Sequence, residues 1–285
     1  MVKYMATLFE LKNISKEFGN KKVLHNISLT IDQNEIITFL GGNGSGKSTL
    51  LKIIAGIELP SSGKVNYYDK EIKIGYVPER FPKLIRFTPV EYLNSIGRIS
   101  GLSQAFLKKA VPDLLYRFQL EELKNEWIMN LSKGNIQKVG IIQAILPKPE
   151  LLILDEPFSG LDSHAQKELL TIIKELKDKG TTILITNHEA NIFEMVETAY
   201  GIRNGLISPI INGKKEPIKL LEVKRLDESH VLKWNEVLHM EKKKNRLLLY
   251  VQLKNSDKVL YRILELQGSI SRVETVEEFH LKFGP

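Results

Sequence analysis

The chain has 285 residues, 42% of them hydrophobic and 26% charged, with a formal net charge of +7 at pH 7; this is an ordinary globular balance, long enough for one or two domains with a sizeable core. The absence of cysteine excludes a disulfide framework and fits a cytosolic protein without requiring one, while a solvated, Lys-rich exterior accounts for the charge. Apolar runs such as Leu151–Leu154 are too short to cross a bilayer, and the N-terminus carries no secretory signal pattern.

Residues 7–13 and 22–31 alternate apolar and polar positions, as half-buried strands do, with Leu24, Ile27, Leu29 and Ile31 marking the second. Between them, Lys16-Glu-Phe-Gly-Asn-Lys-Lys22 reads as a polar turn carrying one aromatic, Phe18. The run Glu35-Ile-Ile-Thr-Phe-Leu40 is a third strand, followed by Gly-Gly-Asn-Gly-Ser-Gly-Lys-Ser-Thr at 41–49 and a helix near 47–57. Pro60-Ser-Ser-Gly63 is a turn before strands near 64–68 and 72–77.

After Pro78 the pattern becomes helical. Thr88-Pro-Val-Glu91 combines an N-cap, a first-turn proline and a reciprocal glutamate. Ser103 caps a second helix to about Gln119, broken or kinked at Pro112. Leu131-Ser-Lys-Gly-Asn135 opens a third, with Val139, Ile142, Ile145 and Leu146 at helical spacing, and Pro147-Lys-Pro149 stops it. Leu151-Leu-Ile-Leu-Asp-Glu-Pro157 reads as a buried parallel strand. Leu169, Ile172, Ile173 and Leu176 define a helix closed by Gly180, before a strand over 181–186 that ends at Asn187-His188. Alternating strands and helices imply a parallel sheet covered on both faces. Beyond about Gly213 the composition shifts. A strand near 218–224, a helix near 229–240, a strand over 246–253, a helix near 256–267 and a strand near 269–276 suit a small α+β domain.

The stretch at 41–49 carries the clearest chemistry. Strand, glycine loop and helix in that order make G-x-x-x-x-G-K-[ST] a phosphate-binding loop, whose inward N–H groups form an anion site at a helix N-terminus. Lys47 would reach the β- and γ-phosphates of a nucleotide, and the Ser48 hydroxyl would ligate Mg²⁺. Asp155 stands at the carboxyl end of a strand, where doubly wound sheets place ligands, and would hold Mg²⁺ through its water shell. Glu156 would polarise the attacking water as a general base. His188, at the end of a later strand, would hydrogen-bond the γ-phosphate.

These residues together resemble the ATP-binding subunits of ABC (ATP-binding cassette) transporters, over about residues 5–210. Gly41, Gly42, Asn43, Gly44, Ser45, Gly46, Lys47, Ser48 and Thr49 look like the Walker A loop, and Leu151–Glu156 like Walker B with its catalytic glutamate. Ser159-Gly-Leu-Asp162 looks like the D-loop, His188 like the switch histidine, and Phe18 like the aromatic that stacks on adenine. Ser132, Lys133, Gly134 and Asn135, followed by Gln137, look like the signature motif that sets this family apart from other P-loop ATPases. The resemblance implies a P-loop α/β core with a mostly parallel sheet, an N-terminal antiparallel β subdomain and a helical subdomain at about 88–146. Residues 5–213 would form the ATP-binding domain and 214–285 a small α+β accessory domain.

The resemblance also implies a mechanism. Two cassettes pair head to tail, each ATP lying between Walker A of one and the signature helix of the other. ATP then acts as glue, and hydrolysis releases it, driving a separately encoded permease from the cytoplasmic face of the membrane. Glu79 stands where the family usually has glutamine and would contact Mg²⁺; Asp162 belongs to the same shared site. Lys133 and Asn135 replace the usual glycine and glutamine. Ser-Lys-Gly variants and a C-terminal extension are similar to those of bacterial exporters, so the expectation is the ATPase of an exporter. A soluble ABC ATPase of translation or DNA repair, and a weakly hydrolysing regulatory cassette, remain open as alternatives. No nucleic-acid partner is expected.

Overall fold

The computed structural model describes residues 6–186, 195–211, 218–231, 234, 236–243 and 246–276. Contacts divide the chain into two compact units, one of Met1–Glu197 with Ile202–Leu206, the other of Thr198–Gly201 with Ile207–Pro285.

In the first unit, β1 (Thr7–Phe18) and β2 (Lys21–Asp32) form an antiparallel hairpin. The expected turn over 16–22 is a correction: the strands run on to a two-residue turn at Gly19-Asn20. Lys16 can stay in the strand and be buried because its ammonium bonds to Glu58 at 2.5 Å and to the Leu59 carbonyl at 2.8 Å. β3 (Ile36–Leu40) is buried at every position and leads through the glycine loop into α1 (Lys47–Ile54). β4 (Ser62–Tyr67) returns to pair antiparallel with β1, whereas β5 (Ile74–Val77) belongs to the sheet that contains β3.

Helices α2 (Pro89–Ile99), α3 (Gln104–Arg117) and α4 (Lys133–Ile145) follow. α2 starts at the expected capping box: Glu91 N donates to Thr88 Oγ1 at 3.2 Å and Thr88 N to Glu91 Oε2 at 2.9 Å. α3 runs through Pro112 without a break. The proline lies on the exposed face, and Leu107, Val111 and Leu115 hold the opposite face in the core.

β6 (Leu151–Asp155), α5 (Ser163–Asp178) and β7 (Thr182–Thr186) complete the parallel core, in which β5, β6, β7 and β3 are neighbours in that order, all parallel. Both β6 and β7 are buried throughout, as continuous apolar runs in parallel sheets are. Their carboxyl ends, with that of β3, form the edge on which the site is built. β8 (Thr198–Arg203) and β9 (Leu206–Ile211) follow, where no element was expected. Asn204 and Gly205 join them at φ 49° and 73°, the Asn-Gly pattern of a tight hairpin.

The second unit has its own antiparallel sheet and core. β10 (Ile218–Lys224), α6 (Glu228–Val231), β11 (Val237–Lys243), β12 (Arg246–Gln252), α7 (Ser256–Glu265) and β13 (Ser269–Val276) give a sheet in the order β11-β12-β10-β13. Leu221, Val223, Leu249 and Val251 of the sheet meet Val259 and Ile263 of α7. The helix expected near 229–240 is a correction: among the described residues one turn is helical, at Glu228–Val231, and 237–243 is strand. Pairing with β12, which sets Val237 opposite Val251 and Met240 opposite Leu249, overrides the local pattern.

Candidate nucleotide-binding site

The loop after β3 is held by its glycines. A Cβ at Gly41 would lie 2.4 Å from the Ile202 carbonyl oxygen, and one at Gly46 2.7 Å from Leu24 Cδ2, where φ is +107°. Gly42 and Gly44 have nothing within 4 Å and face open space. Inside the loop, Ser45 Oγ is buried and has no hydrogen-bond partner. A buried, unsatisfied hydroxyl at the N-terminus of α1 is what a phosphate would satisfy, so the residues present fit a nucleotide.

Lys47 is 6% exposed. Its ammonium donates to the Gly41 carbonyl at 2.8 Å and the Gly42 carbonyl at 3.4 Å, and lies 4.0 Å from Glu156 Oε1. Burial pushes its pKa down, while Glu156, Asp155 and Glu79 act in the opposite sense. The structure therefore brings four of the expected residues into one electrostatic cluster, with Ser48 in the first turn of α1 beside them.

Asp155 ends β6 almost fully buried and accepts a 2.7 Å hydrogen bond from Thr186 Oγ1. Glu156 adopts φ 48°, and its N–H donates to Thr186 Oγ1 at 2.9 Å and to the Thr186 carbonyl at 3.2 Å. Glu79 is half-exposed, 3.7 Å from Arg80. The nearby Tyr76 hydroxyl is buried without a partner, and burial first, then Asp155 and Glu79, pushes its pKa up. Phe18 ends β1 half-exposed, with the Lys16 ammonium 4.8 Å from its ring centroid.

The signature residues build a different surface. Ser132 caps α4 by accepting from Asn135 N at 3.3 Å. Lys133 is exposed, and a Cβ on Gly134 would come within 2.4 Å of the Gly160 carbonyl oxygen. Asp162 uses both oxygens within the chain: Oδ1 accepts from Ala165 N at 2.8 Å, capping α5, and Oδ2 lies 2.7 Å from buried Lys138 Nζ. Those two bonds, led by Lys138, hold its pKa below the usual carboxylate value. Among the described residues, no hydrogen bond or ion pair joins Ser132–Asn135 to the loop at 41–49. Beside Glu79, a cleft of about 390 Å³ is lined by Arg80, Phe81, Lys83, Lys133, Ile136 and Gln137. His188 lies outside the described residues.

Sequence reasoning missed Thr186 and Lys138. Thr186 matters only because β7 lies beside β6 with Asp155 opposite it; its one signal was its place at a strand's carboxyl end.

Comparison with known proteins decides the family. A family profile described as "ABC transporter" matches residues 24–159. The zinc import ATP-binding protein ZnuC of Pasteurella multocida is 40% identical over 65% of this chain and 68% of its own length. The chain belongs to the ATP-binding cassettes of ABC transporters.

Members of that family are ATPases. An uncharacterized ABC transporter ATP-binding protein of Bacillus subtilis, YhaQ, is 30% identical over 95% of both chains, so its match includes the C-terminal unit of this cassette. Among solved structures, an ATP-binding subunit of an ABC transporter superposes with a TM-score of 0.65 at 32% identity, over 72% of this chain and 90% of that one. The cassette MJ0796, in a dimeric post-hydrolysis state bound to ADP and Pi, superposes with a TM-score of 0.63 at 26% identity, over 71% of this chain and 98% of its own. The fold is thus the P-loop α/β fold of these cassettes. Among the described residues, no helix is long and apolar enough to cross a membrane.

Proposed function

We propose that this cassette binds and hydrolyses ATP on the loop at 41–49 and so drives a separately encoded membrane permease from the cytoplasmic face. The observation that carries the reading is the convergence of Lys47, Asp155, Glu156 and Glu79 on a loop whose Ser45 hydroxyl is buried and unsatisfied. The backbone N–H groups of Gly41–Thr49 bind the phosphates, Lys47 neutralises charge on the transferring group, and Glu156 takes the proton from the attacking water. Ser48, Asp155 and Glu79 hold Mg²⁺, which when bound supplies further charge neutralisation; hard oxygen donors of this kind suit it. Phe18 offers its half-exposed ring to the adenine, and His188 hydrogen-bonds the γ-phosphate.

Ser132, Lys133, Gly134 and Asn135, at the N-terminus of α4, and the segment ending at Asp162 form the other wall of a second copy's site in a head-to-tail dimer. The cleft beside Glu79 receives a cytoplasmic helix of the permease. Direction of transport has two readings. Export is supported by Ser132-Lys-Gly134 and the C-terminal unit; import is favoured by the ZnuC relatives, which are zinc import proteins and give export no support. ATP-driven uptake into inside-out vesicles carrying the co-purified permease requires export, and its loss from right-side-out vesicles likewise; the reverse pattern requires import.

Turnover and gel filtration test the core reading. Glu156→Gln should lower ATP hydrolysis by about 10²–10⁴-fold and trap an ATP-dependent dimer. Lys47→Ala should lose nucleotide binding. Unchanged turnover in Glu156→Gln overturns the assignment, and co-purification with ribosomes or DNA in place of a membrane protein overturns the transport role.

A further inference from the structure

We propose that Thr186 is a positioning residue of the hydrolytic site, its single hydroxyl holding both acids at the end of β6 in their working geometry. The inference rests on the roles proposed above for Asp155 and Glu156.

Strands β6 and β7 run parallel in register, with Asp155 opposite Thr186, so both end at the same level of the sheet. Thr186 is 0% exposed and Asp155 1%. A hydroxyl carries one proton and two lone pairs. Thr186 Oγ1 spends the proton on Asp155 Oδ1 at 2.7 Å and a lone pair on Glu156 N–H at 2.9 Å. The two bonds therefore point the same way, from the Glu156 amide through the hydroxyl to the Asp155 carboxylate. Aligned in this manner within a buried environment, each polarises the other.

Two consequences follow from that chain of bonds. Asp155 has one oxygen committed to the protein, which sets how its carboxylate is turned toward a cation. Glu156 is held at φ 48°, a left-handed conformation that a residue with a Cβ ordinarily avoids. In that conformation its carboxylate lies 4.0 Å from the Lys47 ammonium. Removing the hydroxyl takes a hydrogen bond from a buried carboxylate oxygen and leaves the Glu156 amide only its longer bond to the Thr186 carbonyl, so the Asp155 carboxylate and the Glu156 backbone lose their shared reference point. Outer-shell groups that orient metal-binding and catalytic carboxylates act in this way.

The test compares Thr186→Val, which keeps the branched shape and loses the hydroxyl, with Thr186→Ser, which keeps the hydroxyl. Thr186→Cys, a weaker donor of similar size, is the third variant. ATP hydrolysis by the full chain is titrated with Mg²⁺, ATP binding is measured in EDTA, and Glu156→Gln serves as the reference. Thr186→Val should lower kcat by about 10–100-fold and raise the Mg²⁺ needed for half-maximal rate, with Mg²⁺-free ATP binding unchanged. Thr186→Ser should stay close to wild type, and Thr186→Cys should fall between them. If Thr186→Val fails to fold, the Ser and Cys variants decide, and equal rates in those two overturn the inference. So does wild-type turnover and Mg²⁺ dependence in Thr186→Val, impairment of Thr186→Ser to the level of Thr186→Val, or loss of Mg²⁺-free ATP binding. A fully active Glu156→Gln overturns the underlying reading and this inference with it. An inactive Glu156→Gln beside a fully active Thr186→Val overturns this inference alone.

Discussion

At the scale of single residues, the glycines separate into two kinds. Gly134 and Gly41 are glycine because a backbone oxygen occupies the place of a Cβ, each at 2.4 Å. Gly42 has open space there, and what limits it is what approaches from outside, whereas Gly44 has the space but holds φ at +75°, which a side chain would strain. Gly134→Ala tests the first kind. Alanine would gain up to about 1 kcal/mol of helix propensity in α4, yet overpacking against a backbone atom costs about 1–3 kcal/mol. Denaturant unfolding should therefore show a net loss of stability. Gly42→Ala should leave the unfolding free energy within about 0.5 kcal/mol of wild type, as a substitution without steric cost does, and should weaken ATP binding by crowding the phosphates. A stable Gly134→Ala, or a Gly42→Ala that binds ATP normally, would contradict this division.

Between elements, one arginine joins α3 to α5. Arg117 pairs with Glu168 and bonds to Glu175 at 2.8 and 3.1 Å, while its carbonyl oxygen lies 3.0 Å from His164 Nε2. The groups are part-exposed, so Arg117→Ala should cost about 1–2 kcal/mol by chemical denaturation, less than fully buried charged bonds would. Its pH dependence has a definite sign. The Arg117 hydrogen bond holds the Glu175 carboxyl below its ordinary value of 4.5. A depressed carboxylate contributes its stability above the unfolded value and loses it as pH falls through the lower folded value. The gap in stability between wild type and Arg117→Ala should thus be full at pH 7 and shrink as the pH drops below about 4.5. A gap independent of pH would mean that packing, and not the ion pairs, holds the two helices. Another interelement link, Lys138 to Asp162, joins the signature helix to the segment that caps α5, and both ends are within one unit.

On the scale of the whole molecule, two units each carry a separate hydrophobic core. Leu152, Leu154, Ile183 and Ile185 belong to the first; Leu221, Leu249 and Ile263 belong to the second. A chain ending at Gly213 keeps every described residue of the proposed ATP site. Such a truncation should retain ATP binding and a cooperative thermal transition, checked by calorimetry with and without nucleotide. Loss of folding in the truncated chain would show that the second core is needed to hold the first.

The sequence alone pointed to the chemistry proposed for this protein, because the motifs that carry it are each local. Strand, glycine loop and helix are consecutive, so the loop at 41–49 was legible together with Lys47 and Ser48. The apolar run before Asp155 and Glu156 likewise announced a strand end. Caps at Thr88 and Ser103 were legible for the same reason, since a cap and its partner are three residues apart. Only the tertiary structure decided which distant residues stand beside the proposed site. Thr186 meets Asp155 and Glu156 through the register of two parallel strands, and no periodicity within either strand encodes that register. Lys138 reads as an ordinary helical lysine until Asp162 is placed against it. The strand at 237–243 and the hairpin at 198–211 were decided by pairing partners elsewhere in the chain and by a tight turn, and local pattern carried little of either.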